Sequence, residues 1–318
     1  MSSILGLKRA QALTQLLGDE SNGVSSILLY GPKGCGKTLL VNQLTELWLG
    51  SKADLTNRAV ESFRRGSNPD FFQIRPGGPS NIIRANRISP SKVKEPDDAM
   101  PLTEFLRVTP LYSRHKVVWI EDVHRLNAAG FNSLLKPLEE PPEFAKLILT
   151  SSQISQVPAT ILSRCLVINC ELPSQQELLE GFSDVPADLH FLAEGSPGTL
   201  SRISANPDVY RDIAAFADRL VTDSPYRSMV LAEEFRRMSD RLEESEKTGL
   251  RTTNARVLEL IGISISHRHG HRADAVRAIT NAHRRVIANT NPSLVLDALI
   301  GKIMLQNKMG TNSSHRSV

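Results

Sequence analysis

The sequence predicts an α/β fold: a parallel sheet covered by helices on both faces, followed by an all-helical C-terminal part. Three observations predict it. Between Ser26 and Asn169, apolar runs of strand length alternate with segments of helical periodicity, the pattern of a parallel sheet. A glycine-rich loop, residues 31–38, joins the first of these runs to the first helix. After Pro173 the apolar runs stop, and short segments punctuated by Pro and Gly give way, from Pro207 onward, to helical periodicity alone.

A chain of 318 residues is long enough for two or three domains with real cores. Hydrophobic residues at 40% and charged residues at 23% are ordinary for a globular protein. The net charge of +4 permits a nucleic-acid partner without requiring one. Cys35, Cys165 and Cys170 form no C-x-x-C pair, which argues against a disulfide framework and a cysteine zinc site. The N-terminus carries no secretory apolar region and no stretch approaches membrane-spanning length. The expected compartment is therefore the cytoplasm, with no membrane partner.

Taken in order, residues 4–17 read as an amphipathic helix and 18–23 as a polar loop. The run Ser26-Ile27-Leu28-Leu29-Tyr30 reads as a buried strand, and Leu39 to Leu47 as the helix after the glycine-rich loop. A basic helix is expected over 51–65. Asn68-Pro69-Asp70 makes a turn into a short strand that stops at Pro76. Residues 77–100, rich in Pro, Gly, Ser and Arg, read mostly as loop, and 101–108 as a helix ending before Pro110. Lys116 to Ile120 is the clearest buried strand. A helix from Ala128 to Leu138 is blocked by Pro141 and Pro142. Strands follow over Lys146 to Thr150 and Leu166 to Asn169, with a helical turn over 159–164 between them. Short helices are expected over 174–182, 187–194 and 199–204, and the tail 310–318 is expected to be disordered. The domain boundaries fall near 172 and 206, giving segments 1–171, 172–206 and 207–318.

The chemistry concentrates in the loop Gly31-Pro32-Lys33-Gly34-Cys35-Gly36-Lys37-Thr38, which fits G-x-x-x-x-G-K-[ST]. A chance match in a glycine-rich turn is the alternative, but the strand before and the helix after place the loop where that motif works. There, free backbone N–H groups and the positive end of the helix dipole meet an anion. Gly31, Gly34 and Gly36 let the backbone curl around phosphates; Cys35 between them reads as a tolerated small residue, the alternative being a redox-sensitive thiol beside Lys37. Lys37 is expected to neutralise terminal phosphates, and the Thr38 hydroxyl to hold Mg²⁺. Ligands of such sheets bind at the carboxyl ends of strands, where Glu121, Asp122 and Ser151 also fall. Two acids there divide the labour, Glu121 towards the metal and Asp122 towards the attacking water. The alternative is an acidic pair closing a strand at the surface.

Three further segments carry a specific resemblance. They are Glu121-Asp122-Val123-His124-Arg125-Leu126, the run from Phe131 to Pro142 containing Asn132, Leu135, Lys136, Leu138, Glu139, Glu140 and Pro141, and the run Pro158 to Cys165 ending in Ser163-Arg164-Cys165. They resemble the bacterial clamp-loader ATPases of the AAA+ superfamily. Asn68-Pro69-Asp70 resembles the family's second-strand entry, and Asn289 to Leu299 the last helices of its oligomerising collar. The resemblance runs from residue 4 to about 305. It implies an AAA+ core over 1–171, a helical lid over 172–206 and a helical collar over 207–318.

Within that family the chain is most similar to the delta-prime subunits. Motor subunits carry a four-cysteine zinc module, aspartate then glutamate at the strand end, and a glycine–serine–x–arginine lid motif. Here the module is absent, the acids run Glu121 then Asp122, and Gly195-Ser196-Pro197-Gly198 puts glycine where the arginine stands. The resemblance implies ATP and Mg²⁺ as cofactors with weak or absent turnover. It also implies Arg164 as an arginine finger for a neighbouring subunit, and partners in a hetero-pentamer that meets a sliding clamp and primer–template DNA. A motor hydrolysing ATP in cis through Lys37, Glu121 and Asp122 is the rival. The tract His267-Arg268-His269-Gly270-His271 reads as solvated surface with no acid nearby rather than a metal site, and Arg84, Arg87, Lys92 and Lys94 as a solvated basic loop.

Overall fold

The apolar runs fold as five strands: β1 (Ser26–Tyr30), β2 (Phe71–Ile74), β3 (Lys116–Ile120), β4 (Ala145–Ser151) and β5 (Leu166–Asn169). The computed structural model describes residues 12, 17, 23–50, 58–77, 81–90, 100–288 and 290–314, with no side chain at 225 or beyond 307. All strand pairs are parallel, in the order β2-β3-β4-β1-β5. The internal strands β3 and β4 are buried throughout and β1 nearly so, which is why they read as continuous apolar runs. The edge strands β2 and β5 are only partly buried.

The connections carry α1 (Lys37–Leu49), α2 (Arg58–Arg64), α3 (Leu102–Phe105), α4 (Ala128–Glu139) and α5 (Ala159–Leu162). Alternate side chains of each strand point to opposite faces. Ile27, Leu29, Val117, Trp119 and Ile148 pack with Leu40, Val41, Leu44 and Trp48 of α1. Leu28, Val118, Ile120, Leu147 and Leu149 pack with Phe131, Leu134 and Leu138 of α4. The sheet is therefore covered on both faces, as the patterning predicts.

Differences from the sequence reading are local. The helix expected over 101–108 stops at Phe105, and the chain tightens there into a last turn in which the Arg107 N–H donates to the Glu104 carbonyl at 3.1 Å. α4 begins where the Asn127 side chain accepts the Gly130 N–H at 2.8 Å and runs one residue past Leu138. The expected loop 77–100 contains a 3₁₀ turn, Ala85–Arg87, and an isolated bridge from Ile83 to Leu126. Of the expected helices 4–17 and 51–65, the described parts are residues 12 and 17 and the helix α2; the remainder, like Lys92 and Lys94, lies outside the described residues.

Asp70 explains the turn before β2. It is 1% exposed, and its carboxylate accepts the N–H groups of Leu111, Tyr112 and Ser113 at 2.7, 2.6 and 3.0 Å and the Ser113 hydroxyl at 3.0 Å. The Asn68 side chain accepts the Asp70 N–H at 2.7 Å and donates to the Ala59 carbonyl at 2.7 Å. Asp70→Ala leaves several buried donors unpaired and is expected to cost about 2–4 kcal/mol. Trp48 and Trp119, the two tryptophans, both lie in this sheet-and-helix core, so urea unfolding followed by their fluorescence measures it. An unchanged midpoint would contradict the anchoring role.

The chain divides into two compact units, the first running to Leu178 and including Ser196–Gly198, the second holding Leu179–Gly195 and everything from Thr199. The short helices are α6 (Gln175–Gly181), a 3₁₀ turn over Ala187–Ala193, and α7 (Pro197–Ala205). Then come α8 (Pro207–Thr222), α9 (Ser228–Glu246), α10 (Leu250–Arg268), α11 (Ala273–Ile287) and α12 (Pro292–Ser314). Their apolar stripes, among them Phe216, Phe235, Leu258 and Ile279, make the second core. The backbone of α12 continues through 310–314, expected to be disordered, because extending a formed helix needs no new nucleus. The fold also supplies the acid that the histidine tract lacks in sequence: Asp218 Oδ1 lies 2.9 Å from His269 Nε2, and Asp218 Oδ2 pairs with Arg268 at 2.7 Å. His267 stacks on Phe191 with centroids 4.5 Å apart. Among the described residues, no helix is long and apolar enough to cross a membrane.

Candidate phosphate-binding site

The loop of residues 31–38 leaves the carboxyl end of β1 and enters α1 at Lys37. Its first contacts fix it to the neighbouring strands. Gly31 N–H donates to the Ser151 carbonyl at 3.2 Å, and Cys170 N–H donates to the Tyr30 carbonyl at 2.7 Å. Two glycines are sterically required. A Cβ on Gly31 would lie 2.1 Å from the Cys170 carbonyl oxygen. Gly34 has φ +77°, and a Cβ there would lie 1.9 Å from Ser196 Oγ. Gly36 caps α1 without a side-chain oxygen, and the first turn carries Lys37 and Thr38 but no acid. The Leu39 N–H turns to the Gly36 carbonyl at 3.0 Å, and no side chain caps the donors ahead of it, which leaves the positive potential of that helix end for an anion. Lys37 Nζ folds over the loop, donating to the Gly31 and Pro32 carbonyls at 2.7 Å each. Cys35 is fully buried beneath it.

The acids stand at the end of β3 with different surroundings. Glu121 Oε2 accepts from Gln73 Nε2 at 3.2 Å and pairs with Arg75 Nε at 3.1 Å. Gln73 and Arg75 also line, with Thr38, Asn42 and Trp119, an open cleft of about 420 Å³. Asp122 sits in left-handed geometry, φ 49° and ψ 54°, which aspartate tolerates better than most residues. Its N–H donates to Thr150 Oγ1 at 3.3 Å, and its Oδ1 lies 3.9 Å from His124 Nδ1. Ser151 Oγ accepts the Gln153 N–H at 3.1 Å and lies 3.1 Å from His124 Nδ1, so its hydroxyl can donate to that nitrogen. Burial pushes the His124 pKa down against the pull of Asp122, keeping the ring neutral. Ser151 is thus fully buried in a Ser151–His124–Asp122 arrangement rather than on the open side of the loop.

Gly198 completes the loop's surroundings. Its N–H donates to the Gly34 carbonyl at 3.1 Å, and a Cβ on it would lie 3.3 Å from Gly34 Cα and carbonyl oxygen.

The structure brings the 31–38 loop, Glu121, Asp122 and Ser151 to the carboxyl ends of adjacent strands. Arg164 is not among them. It precedes β5, whose start, Leu166, is in register with Ile27, whereas the loop follows Tyr30 at the other end. Three residues of strand, about 10 Å, separate the two levels. There Arg164 Nε donates to Glu139 Oε1 at 2.8 Å and a terminal nitrogen donates to the Thr160 carbonyl at 2.8 Å; a second terminal nitrogen also reaches Glu139. The residues that sequence reasoning missed are Gln73, Arg75 and Cys170. All three stand at carboxyl ends of strands, and applying the strand-end rule to β2 and β5 would have found them.

A family model described as DNA polymerase III, delta subunit, matches residues 10–174. The DNA polymerase III subunit delta' of Pseudomonas aeruginosa is 32% identical over 206 residues, covering 61% of this chain and 60% of that one. The subunit gamma of Buchnera aphidicola from Acyrthosiphon pisum is 31% identical, covering 50% of this chain and 44% of that one. The subunit tau of Escherichia coli is 29% identical, covering 60% of this chain and 32% of that one. The matches thus span less than two thirds of each of these relatives. A crystal structure of a gamma-subunit-related protein from Thermotoga maritima superposes with a TM-score of 0.57 at 17% identity, covering 95% of this chain and 99% of that one, a likeness of fold.

Proposed function

Because the chain belongs to the DNA polymerase III delta-subunit family, a family of clamp-loader subunits, we propose that it is a delta-prime-like stator. In this role it holds ATP in the 31–38 loop with little or no turnover, and offers Arg164 to the ATPase site of a neighbouring subunit. The fold is an AAA+ core with a helical C-terminal domain. The observation that carries the stator reading is Gly198. The position that resembles the motors' lid arginine has no side chain, and its backbone is bonded to Gly34, so no cationic clamp reaches the phosphates from there. The acids support the same reading. Asp122 is one methylene shorter than the usual base, and misplacement of about 1 Å can cost about 10²-fold in rate.

The residues present fit ATP with Mg²⁺. Backbone N–H groups of the loop and Lys37 would hold the phosphates, and the Thr38 hydroxyl and Glu121 would hold the cation. Bound Mg²⁺ supplies neutralisation of phosphate charge. The partners in this role are the other subunits of a hetero-pentamer, joined through residues 207–318, with sliding clamp and primer–template DNA met through the complex. Co-expression with candidate gamma or tau and delta subunits, followed by ATPase assays of the chain alone and of the complex, tests the reading. Turnover by the isolated chain at the rate of the complex would overturn it. That outcome would favour the second reading, a motor acting in cis, for which the complete loop and the gamma and tau relatives speak.

Arg75 gives a further expectation. It occupies the carboxylate that the cation would use. Arg75→Ala is expected to steepen the Mg²⁺ dependence of ATP affinity by no more than about fivefold, since an exposed ion pair is worth at most about 1 kcal/mol. Titration of a fluorescent ATP analogue at graded Mg²⁺ measures this; an unchanged dependence would show that Arg75 does not compete.

A further inference from the structure

We propose that Arg256 is a positioning residue for the phosphate-binding loop, acting through Thr199 and Gly198 on the peptide between Gly34 and Cys35. What it implies for affinity rests on the reading of that loop as an ATP site. Where the chain passes between its two units, Ser196–Gly198 belong to the first and the residues on either side to the second. Two consecutive residues of α7 are therefore held by different partners. The Gly198 N–H donates to the Gly34 carbonyl at 3.1 Å, and Ser196 rests on Gly34, where a Cβ would lie 1.9 Å from its Oγ. The next residue, Thr199, accepts at Oγ1 from Arg256 Nη2 of α10 at 3.0 Å.

The guanidinium is itself aimed. Its Nη1 donates to Glu259 Oε2 at 2.7 Å, three residues along the same helix, and this second anchor fixes the direction of Nη2. The side chain is 17% exposed, and its Nε finds no acceptor among the described residues. Burying that donor unpaired costs stability, so what Arg256 contributes is placement. Adjacent Cα atoms stand about 3.8 Å apart across one rigid peptide, so a displacement at Thr199 reaches Gly198 almost undiminished. The Gly198 bond is near the long end of the usual range of about 2.7–3.2 Å and has little slack.

A phosphate donor depends on that bond. The Gly34 carbonyl and the Cys35 N–H stand on opposite sides of one trans peptide. Holding the carbonyl on Gly198 turns the Cys35 N–H the other way, where it reaches the Pro32 carbonyl at a long 3.4 Å. Lys37 Nζ donates to that same carbonyl at 2.7 Å. An amide and an ammonium thus converge on one weakly satisfied point, and a phosphate oxygen arriving there offers both a charged acceptor. Gly34, at φ +77° and without a Cβ, has the freedom to let the peptide rotate once Gly198 lets go. Rotation would carry the Cys35 N–H away from the phosphate. Because Arg256 sits on α10, which packs against α8, α9 and α11, the affinity of the loop becomes sensitive to the packing of the helical bundle.

The affinity and dissociation rate of a fluorescent ATP analogue are measured on the full chain and on Arg256→Ala, Thr199→Val and their combination. Amide hydrogen exchange over residues 31–38 and 196–200 is followed by mass spectrometry on the same proteins. Each single variant is expected to weaken binding about tenfold, the worth of one hydrogen bond to a charged group, mainly through faster dissociation. Exchange should quicken in both segments, and the double variant should lose no more than either single one. Thr199→Ser keeps the hydroxyl and should recover most of the affinity. Arg219→Ala is the matched control: Arg219 also has an unpaired Nε and a carboxylate partner, Glu234 at 2.8 Å, within the second unit. It can destabilise the bundle but should leave the loop's affinity and exchange unchanged. Thr199→Val removes the bond from the other side, so the test survives if Arg256→Ala fails to fold. Parental affinity in the folded variants, or an equal loss in Arg219→Ala, overturns the proposal. If the parent chain binds no ATP, the nucleotide reading falls, and exchange over residues 31–38 alone decides whether Arg256 positions the loop.

Discussion

Lys37→Ala is expected to weaken ATP binding about 10²-fold without unfolding the chain. The ammonium is the one full positive charge in the first turn of α1, and it lies over the loop, 2.7 Å from two loop carbonyls. A phosphate entering the loop offers a charged acceptor in place of those neutral ones, and charge-assisted bonds are roughly twice as strong. Losing about 3 kcal/mol of such contacts corresponds to about 10²-fold in affinity. The substitution removes two bonds to loop carbonyls and a 3.8 Å contact to Cys35 Sγ at a partly exposed position, so the tryptophan fluorescence of the core should keep the parental denaturation midpoint within about 0.5 kcal/mol. Equal ATP affinity in Lys37→Ala and parent would show that the loop keeps the geometry of a phosphate site without its use.

The same loop shows what a sequence can convey. Three of the five strands, Ser26–Tyr30, Lys116–Ile120 and Leu166–Asn169, fall on the residues expected; in the internal strands β1 and β3 burial on both faces leaves an uninterrupted apolar run, and the surrounding turns carry Gly and Pro. Glycine spacing and the strand–helix context likewise made the loop legible. Less legible was whatever depends on strand order. Glu121 reads as a free acid until β2 is placed beside β3, which brings Gln73 and Arg75 onto its carboxylate. Cys35 reads as a tolerated small residue until β5 is placed beside β1, which brings Cys170 under the loop. Ser151 reads as a strand-end hydroxyl, but the left-handed turn at Asp122 folds His124 back onto it. Periodicity constrains each element by itself, whereas these contacts arise between elements far apart in the chain.

Arg164→Ala is expected to lower the stimulated ATPase of the assembled complex by about 10³–10⁵-fold while leaving ATP affinity at the 31–38 loop unchanged. The reason is position. Arg164 stands before β5, about 10 Å of strand away from the level of the loop, so it is badly placed for the chain's own phosphates and free to serve a site that docks against that end. During phosphoryl transfer, negative charge spreads over the equatorial oxygens, and a preorganised guanidinium lowers the barrier. Here the preorganisation has named supports: Glu139 at the end of α4 and the Thr160 carbonyl hold the guanidinium by separate nitrogens. Glu139 is about half exposed, so the pair is weak enough to be exchanged for a phosphate. Glu139→Gln should therefore cost far less than Arg164→Ala, on the order of tenfold or below, by loosening the finger without removing its charge. Arg164→Lys should restore little, because a point charge cannot reproduce the planar fork. Complex formation must be verified by size-exclusion chromatography before rates are compared, since a lost subunit would mimic a lost finger. An intact Arg164→Ala complex that hydrolyses ATP at the parental rate in the presence of clamp and primed DNA would remove the stator's chemical role and leave the chain a structural subunit.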